Sequence, residues 1–394
     1  MTDMELRNLA ERYGTPTYVF DIEALQARVG AMKQILGNKI ALCYSIKANP
    51  FLIPDILKVV DKLEVCSPGE MDICEKLKVA GKHIVFSGVN KTLEDVEQAV
   101  RNDVLIYTAE SKKHVDYLNE VAGQCGKKIP VLLRLNAGSQ FGMSKEDLCD
   151  IVEHRNDYAG ILLEGIHYFV GTQRKKLEEQ KNELEMLSLL FEELQEKYNF
   201  TVHKLEYGPG LPVPYFKNED FTDTLKPLKE IAPHLQKMAE RVELTVEMGR
   251  FIASECGYYL TRIMDQKSNQ GVNYSIVDGG MNHLNYLGQM MGMKIPVMKH
   301  LKFGELVQSG VKNWCICGSI CSTSDVVVRQ ESFEDLNEKD VLAFCNIGAY
   351  SVTEGIYLFL SRKMPRVVLY YGDNNTKLVR DYIDTSVLNC EGER

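Results

Sequence analysis

The chain has 394 residues, of which 45% are hydrophobic and 26% are charged, and its formal net charge is −9. This balance is typical of a globular protein, and the length predicts one large domain with a smaller one. The acidic charge gives no electrostatic footprint for nucleic acid or an anionic membrane, and no apolar run is long enough to span a bilayer. The 11 cysteines, without an export signal, predict reduced thiols, and the C-x-C at Cys315 and Cys317 has no second pair at zinc-ribbon spacing. We therefore expect a cytoplasmic protein with no metal site.

Short β-rich runs alternate with helix-period segments from about residue 40 to residue 256. Strands are predicted at 40–46, 63–66, 83–87, 104–107, 131–135, 162–169, 204–207 and 243–247. Strands that are each followed by a helix, in this number, fit a closed (β/α)₈ barrel of the TIM type. An open doubly wound sheet is the alternative, but no G-x-G-x-x-G follows the first strand.

Beyond residue 256 the pattern changes to strands separated by turn residues, which predicts a second, mostly β domain. Its strand-like runs lie at 258–263, 274–277, 305–307, 326–328, 341–344 and 367–370. The segment 16–21 is also strand-like but precedes the barrel, so we expect it to join the C-terminal domain. The predicted division is 22–256 for the barrel, and 1–21 with 257–394 for a β-barrel or sandwich domain.

The segment YSIKANP at 44–50 places Lys47 at the end of the first barrel strand, where Asn49 and Pro50 stop the strand. Partial burial at this position favours the neutral amine that forms a Schiff base. The carbonyl partner would be pyridoxal phosphate (PLP) or an aldolase-type substrate. A surface lysine that extends its amine into water is the plain structural alternative.

Polar and glycine residues collect at the same end of the other predicted strands, where barrel enzymes build their active sites. These residues are Ser67, His167, Gly171, Thr172, Gly208, Gly210, Glu247, Gly249 and Arg250. Glycines let backbone N–H groups approach a phosphate, a guanidinium binds it by charge-assisted hydrogen bonds, and a carboxylate can keep a pyridine nitrogen protonated. A tight loop and a Glu247–Arg250 ion pair are the structural alternatives.

Together these motifs resemble those of the fold-type III PLP decarboxylases, the family of diaminopimelate, ornithine and arginine decarboxylases. YSIKANP is similar to the family's Schiff-base lysine motif, GIHYFVGTQ (165–173) to its histidine–glycine–serine motif, and EMGRFI (247–252) to its glutamate–glycine–arginine motif. CGSICSTSD (317–325) resembles the segment with the catalytic cysteine, and IGAYS (347–351) resembles the segment with a phosphate-contacting tyrosine. The motifs occur in family order over essentially the whole chain.

The resemblance implies a PLP-dependent amino-acid α-decarboxylase that works as a homodimer with shared active sites. It implies that Lys47 forms the Schiff base with the cofactor, that Glu247 meets the ring nitrogen, and that Cys321 of a neighbouring subunit reprotonates the substrate carbon. The implied cofactor-binding residues are Lys47, His167, Phe169, Thr172, Gly208, Gly210, Glu247, Gly249, Arg250 and Tyr350, and the implied substrate residues are Ser322 and His283.

Three features depart from the family pattern. Phe169 aligns with the family's ring-stacking histidine; it can stack on a pyridine ring but cannot hydrogen-bond or titrate. Pro209 interrupts a triple glycine and removes one N–H donor. Ser322 stands where diaminopimelate decarboxylases carry an acidic residue, and the stretch 278–296 does not carry the arginine and the tyrosine that the family pattern places after an Asp-Gly-Gly-like step. The loss of groups that would pair with a distal ammonium and carboxylate predicts a substrate other than free diaminopimelate.

The function within this family is left open by the sequence. The altered stretch is more similar to the branch that decarboxylates aminoacyl groups tethered to carrier proteins, and Arg174, Lys175 and Lys176 could meet a phosphopantetheine phosphate or an acidic carrier; a solvated helix start is the plainer interpretation. A meso-diaminopimelate decarboxylase that makes lysine, an amino-acid racemase and a non-catalytic homologue stay open as well. Glu247 argues against a racemase, because racemases of this fold type usually place an arginine opposite the ring nitrogen.

Overall fold

A computed structural model describes residues 1–303, 310–373 and 375–392. Its contacts divide the chain into two compact units. The first unit comprises Met1–Leu25, Pro214–Thr222 and Ala253–Arg394, and the second comprises Gln26–Val213 and Asp223–Ile252. The sequence-based division differs from this one mainly at Pro214–Thr222, which interrupts the barrel segment of the sequence but packs within the first unit.

The strands and helices are numbered in chain order. The strands are β1 (Thr17–Asp21), β2 (Ile40–Ser45), β3 (Lys62–Val65), β4 (Ile84–Phe86), β5 (Ile106–Ala109), β6 (Ile129–Arg134), β7 (Ile161–Phe169), β8 (Lys204–Gly208), β9 (Glu243–Met248), β10 (Gly257–Asn269), β11 (Val272–Val277), β12 (Met298–Leu301), β13 (Val311–Cys317), β14 (Val326–Glu334), β15 (Val341–Cys345), β16 (Arg366–Tyr370) and β17 (Thr376–Arg380). The helices are α1 (Asp3–Tyr13), α2 (Ile22–Leu36), α3 (Ile53–Ile56), α4 (Pro68–Lys76), α5 (Leu93–Arg101), α6 (Lys112–Gln124), α7 (Lys145–Glu153), α8 (Leu177–Tyr198), α9 (Lys226–Met238) and α10 (Arg250–Ala253).

In the described part of the second unit, the eight parallel strands β2–β9 close into a barrel, which confirms the predicted (β/α)₈ fold. The strands β3, β4 and β5 are buried at every residue. Strands that are covered on both faces appear in the sequence as continuous apolar runs, and this is why the pattern of the sequence predicted them well. A charged residue inside such a run is therefore unusual, and β3 and β8 each contain a buried glutamate.

Side-chain caps fix where the barrel helices begin after the strands. The N-cap hydroxyls of Ser67, Thr92, Ser111 and Ser144 each accept a hydrogen bond from the backbone N–H three residues later, at the start of α4, α5, α6 and α7. Each cap satisfies one N–H that the first helical turn leaves without an intrahelical partner. Ser67, which follows β3, therefore has a structural role as the cap of α4.

The described residues of the first unit contain a sheet of nine strands in the order β14-β13-β11-β10-β1-β16-β17, with β15 pairing with β10 and β12. β1 lies between β10, to which it is antiparallel, and β16, to which it is parallel. This pairing confirms the prediction that the N-terminal strand joins the C-terminal domain. Leu6 and Leu9 of α1 pack with Val19 of β1 in the same apolar cluster.

Three strands of this sheet were not predicted. β12, β13 and β17 are short or half-exposed, and their alternation of polar and apolar residues is weak. The predicted strand at 305–307 lies outside the described residues. Within the described ranges, no helix combines the length and the apolar composition that crossing a membrane requires.

Candidate active site

Lys47 follows β2 directly and lies in a short 3₁₀ turn, Ile46–Ala48. The Asn49 side chain accepts a hydrogen bond from the N–H of Phe51 at 3.1 Å, which ends this turn and begins the next. The Lys47 side chain is 39% exposed, and its Nζ donates a hydrogen bond to Glu64 Oε2 at 2.7 Å. The Lys47 amine is thus held at the C-terminal end of neighbouring strand β3.

Glu64 and Cys66 form the immediate surroundings of the Lys47 amine. Cys66 Sγ lies 3.4 Å from Nζ and donates a hydrogen bond to Glu64 Oε1 at 3.1 Å. Burial raises the pKa of Glu64, but the charge and the hydrogen bond of Lys47 outweigh it and bring the pKa to about 2. Sequence reasoning missed both residues; the available signal was the acidic residue inside the apolar run LEVC.

Glu247 and His167 meet inside the barrel. His167 Nε2 and Glu247 Oε2 are 2.9 Å apart, and both side chains are buried. His167 lies on β7 and Glu247 on β9, so the pair spans the intervening strand β8. A carboxylate held in this way has a fixed orientation and a second oxygen for another partner.

Glu206 on β8 lies next to this pair. It is in register with His167, it is 1% exposed, and one polar atom from each of Glu206, His167 and Glu247 lies within 4.8 Å of the other two. Neither carboxyl oxygen of Glu206 has a hydrogen-bond partner among the described residues. Burial, with the nearby charges of Glu247 and Glu64, raises the pKa of Glu206 well above its usual range. Sequence reasoning missed Glu206.

The loops after β7, β8 and β9 bring together the residues that the sequence predicted for phosphate binding. Arg250 is buried, and its Nε donates a hydrogen bond to Thr172 Oγ1 at 3.2 Å. Gly249 precedes Arg250 and lies against Ala48, the residue after Lys47. Strand pairing therefore brings the predicted Thr172, Gly249 and Arg250 together near the Lys47 turn.

Two glycines in the β8 loop are required by close contacts. A Cβ on Gly208 would overlap the ring of Phe169, its register partner on β7. Gly210 has φ +63°, and a Cβ there would overlap the carbonyl oxygen of Gly171. These contacts hold the β7 and β8 loops together and fix the half-buried Phe169 ring at the strand end.

Arg174, the first residue of the basic run 174–176, is bound within the protein. The Arg174 guanidinium binds the Glu183 carboxylate with two hydrogen bonds, and only 9% of its side chain is exposed. Lys176 is 80% exposed and pairs with Glu179 in the first turn of α8. The Arg174 guanidinium serves the barrel's own packing, which argues against its meeting a carrier phosphate, and Lys176 fits the plainer interpretation of a solvated helix start.

In the first unit, Cys321 and Ser322 lie on the loop between β13 and β14. The Cys321 thiol is exposed, and Ser322 Oγ is 2.7 Å from Ser324 Oγ. The Asp325 carboxylate organises this loop, since it accepts hydrogen bonds from the N–H groups of Met281 (2.8 Å) and Ile320 (2.9 Å). Sequence reasoning had not identified Asp325.

His283 and Tyr350 occupy different environments in the same unit. His283 is 2% exposed; its Nδ1 is 2.7 Å from the Tyr259 hydroxyl and its Nε2 is 3.1 Å from Asn282 Nδ2. Its burial and these two contacts argue against the predicted substrate role. Tyr350 has φ +70°, a left-handed conformation that is uncommon for a residue with a side chain and that often marks functional loops.

Comparison with known proteins identifies the family. Residues 22–254 match the family described as "Pyridoxal-dependent decarboxylase, pyridoxal binding domain". The chain is 26% identical to the diaminopimelate decarboxylase of Aquifex aeolicus, over 96% of this chain and 93% of the relative. It is 25% identical to the L-glutamyl-[BtrI acyl-carrier protein] decarboxylase of Niallia circulans, over 93% of this chain and 91% of the relative.

The fold is shared with solved structures. The diaminopimelate decarboxylase of M. jannaschii, crystallised with L-lysine, superposes with a TM-score of 0.83 at 24% identity, over 97% of this chain and 92% of that chain. The family match covers the whole barrel, including the strand ends that carry Lys47, Glu247 and Arg250. The chain therefore belongs to the pyridoxal-dependent decarboxylases: it is an amino-acid carboxy-lyase whose cofactor is pyridoxal 5′-phosphate.

Proposed function

We propose that this chain removes the α-carboxylate of an amino acid other than free diaminopimelate, at a cofactor held by the barrel residues. The observation that carries this proposal is the Lys47 amine, held 2.7 Å from buried Glu64 in a barrel that also presents Glu247 and Arg250. An amine, a carboxylate for a ring nitrogen and a cation for a phosphate are the groups that PLP requires.

The residues present fit this cofactor. Glycines whose Cβ atoms would collide with neighbouring groups leave the β8 loop close to the backbone of the β7 loop, as a phosphate cradle requires. Arg250 supplies the positive charge and, with Thr172, donors for phosphate oxygens. Phe169 offers an aromatic face at the end of β7.

In the proposed mechanism, the bound cofactor supplies the conjugated ring that accepts the electron pair left by carbon dioxide. Lys47 holds the cofactor, and Glu64 and Cys66 orient its amine. His167 fixes the Glu247 carboxylate, which would meet the ring nitrogen of the bound cofactor and favour its protonated form. Arg250 would hold the phosphate of the bound cofactor and so help to position it for the reaction.

The assignment of Lys47 as the residue that forms the Schiff base with the cofactor is tested by the absorbance of the purified protein in the visible band of a protonated Schiff base. We expect this band in the wild type and its loss in Lys47→Ala after dialysis. Lys58→Ala is a matched control, because Lys58 is 64% exposed and pairs with Asp55 away from the strand ends. An unchanged spectrum in Lys47→Ala would refute the assignment.

We further propose a homodimer in which Cys321 protonates the substrate carbon in the neighbouring subunit's site. The exposed thiol on a loop held by Asp325 supports this role. Mixing inactive Lys47→Ala with inactive Cys321→Ala, under conditions that exchange subunits, should restore about a quarter of wild-type activity, because half of the dimers then hold one complete site. No recovery would mean that Cys321 acts within its own subunit or not at all.

The substrate proposal depends on the uncharged surroundings of Ser322. Its hydroxyl is engaged with Ser324 and carries no charge to pair with a distal ammonium group. Two relatives at 25% and 26% identity bear names with different substrates, so similarity does not choose between them. A carrier-tethered aminoacyl group is the second candidate, favoured by the relative from Niallia circulans, although Arg174 no longer supports it.

The decisive assay measures release of carbon dioxide from free amino acids and from aminoacyl-loaded carrier protein in parallel. We expect free meso-diaminopimelate to be turned over poorly relative to the true substrate. Comparable or better turnover of free diaminopimelate would overturn the interpretation of Ser322. For the location in the cell, the 11 free cysteines among the described residues support a reducing compartment, and we propose the cytoplasm.

A further inference from the structure

Three glutamates on the barrel strands, Glu64, Glu206 and Glu247, are buried, and they differ in their hydrogen-bond partners. Glu64 pairs with Lys47 at 2.7 Å, and Glu247 pairs with His167 at 2.9 Å. Glu206 is as deeply buried as either, yet neither of its oxygens has a hydrogen-bond partner among the described residues. The proposed mechanism assigns roles to Glu64 and Glu247 but none to Glu206.

The groups around Glu206 do not favour a negative charge on it. The titratable groups that act on it or share its interior come from β2, β3, β7 and β9 and from the turn after β2: they are Cys43, Lys62, Glu64, His167, Glu247 and Lys47. Lys62 donates its hydrogen bonds to Thr245 and Glu243, and Lys47 donates to Glu64. An ionised Glu206 would therefore be a buried charge beside two other carboxylates, which is far more costly than a neutral carboxyl group.

A neutral Glu206 also complements its neighbour on β7. His167 uses Nε2 toward Glu247, and its buried Nδ1 has no partner among the described residues. A protonated carboxyl group can donate a hydrogen bond to a ring nitrogen, and strand pairing places Glu206 beside His167, although the two side chains are not hydrogen-bonded to each other. An internal water molecule could join the two groups where they do not touch directly.

We propose that Glu206 holds a proton and is therefore neutral in the folded protein. The negative charge of this cluster is then confined to Glu247, the carboxylate proposed to meet the cofactor's ring nitrogen. Glu206 is thus a positioning residue that acts through Glu247 and His167. The second half of this inference rests on the proposed role of Glu247. The first half, the proton on Glu206, requires neither cofactor nor activity.

The proton is detected by infrared difference spectroscopy of the cofactor-free protein at neutral pH. We expect the wild type to show the carbonyl stretching band of a buried carboxylic acid, and we expect Glu206→Gln and Glu206→Met to lack it. Glu247→Gln should retain the band. Its absence from the wild type, or its persistence in both Glu206 variants, would overturn the inference; two variants of different polarity guard against one that fails to fold.

The pH dependence of stability gives an independent measurement. An unfolded glutamate releases its proton near pH 4.3, whereas folded Glu206 keeps it, so the wild type loses stability as pH rises above that value and Glu206→Gln does not. The urea midpoint of Glu206→Gln should therefore rise relative to wild type from about pH 5 to about pH 8. In the control variant Glu196→Gln, at an exposed position, the difference in urea midpoint from wild type should be the same at every pH. A constant offset in Glu206→Gln as well would contradict the inference.

Two further outcomes are distinguished by binding measurements. Stoichiometric uptake of Zn²⁺ or Mg²⁺ by the cofactor-free protein, abolished by Glu206→Gln, would replace the proton by a cation and overturn the proposal. For the second half, Glu247→Gln should weaken PLP binding by at least about tenfold and Glu206→Gln by less than about threefold. Equal losses would show that Glu206 shares the charge. If the Lys47→Ala spectrum refutes the cofactor site while the infrared band is present, only the link to the ring nitrogen falls.

Discussion

Lys47 and Glu64 form an ion pair across neighbouring strand ends, in which the lysine is 39% exposed and the carboxylate 4%. Because of this difference in exposure, the charge of Glu64 needs its partner more than the charge of Lys47 does. Lys47 can be solvated by water if Glu64 is removed, whereas Glu64 without Lys47 is a buried carboxylate with no cation bonded to it. The pair therefore stabilises the folded protein mainly by compensating the burial of Glu64.

Lys47→Met should destabilise the cofactor-free protein at neutral pH by about 1–3 kcal/mol, because it leaves a buried charge uncompensated. In the wild type the Glu64 pKa of about 2 lies below the unfolded value near 4.3, so its stabilisation is present above pH ~4.3 and lost as pH falls toward 2. The difference in the free energy of unfolding between Lys47→Met and the wild type should therefore become smaller as the pH falls toward 2. Urea denaturation as a function of pH measures both effects.

The matched control for that measurement is the double variant Lys47→Met with Glu64→Gln. Replacing the unpaired charge of Glu64 should recover most of the lost stability, since the neutral amide of glutamine costs less to bury. Equal stability of the single and double variants at neutral pH would show that Glu64 is not ionised in the folded protein.

Gly208→Ala should lower stability by about 1–3 kcal/mol, because the added methyl group overlaps the Phe169 ring and forces it from its position. Gly171→Ala is the control: a Cβ there has no atom within 4 Å, and its φ lies outside the left-handed region. Thermal denaturation of both cofactor-free variants tests this contact. Similar melting temperatures for the two would mean that Phe169 moves aside at no cost.

At the scale of elements, loops that follow strands carry the predicted functional residues, and buried carboxylates hold those loops. Asp325 binds two backbone N–H groups, one in its own loop and one in the segment after β11. Burial raises the pKa of Asp325, although these hydrogen bonds act against that rise. The position of Cys321 therefore depends on a residue four positions farther along the chain.

Asp325→Ala should destabilise the first unit by about 1–3 kcal/mol, because it leaves the N–H groups of Met281 and Ile320 without their acceptor. The loop 318–324 should become sensitive to proteolysis. Asp265→Ala, at an exposed position on β10, is the control. Limited proteolysis with mass spectrometry identifies the cleavage sites, and an uncut loop in Asp325→Ala would contradict the assigned role.

The sequence predicted the barrel elements well because buried parallel strands have a continuous apolar signature, and β2 to β9 all lie within a few residues of their predicted bounds. It predicted Lys47, Glu247 and Arg250 because they stand at strand ends. Glu206 was missed because it lies inside a strand and not at its end; the available signal was, as for Glu64, an acidic residue in a buried strand, and the pairing with His167 appears only in the three-dimensional structure. Strands β12 and β17 were missed because half-exposed strands have mixed composition.

At the scale of the whole molecule, the first unit is assembled from both ends of the chain. β1 lies inside the sheet, with β10 on one side and β16 on the other. Val19 of β1 is 0% exposed and packs with α1, β10 and β16 residues in one apolar cluster. The N-terminal residues are therefore part of the core of this unit.

Val19→Asp should destabilise the first unit by roughly 4 kcal/mol or more, because it buries a carboxylate without a partner. Met4→Asp, at a 65% exposed position in the first turn of α1, should be nearly neutral. Hydrogen exchange with mass spectrometry should show lost protection in β1, β10 and β16 of Val19→Asp, with β2–β9 still protected. Uniform loss of protection would mean that the two units unfold together.

The position of β1 in the sheet means that it must wait during synthesis for its parallel partner. The ribosome makes this strand first, yet its parallel partner β16 begins at Arg366. At about 5–20 residues per second, the wait is roughly 20–70 s. All eight barrel strands emerge in that interval and can close, so the barrel can be complete while β1 still has a free edge. We expect the apolar segment TYVFD to stay without its β16 partner, and so open to pairing with other chains, throughout that interval.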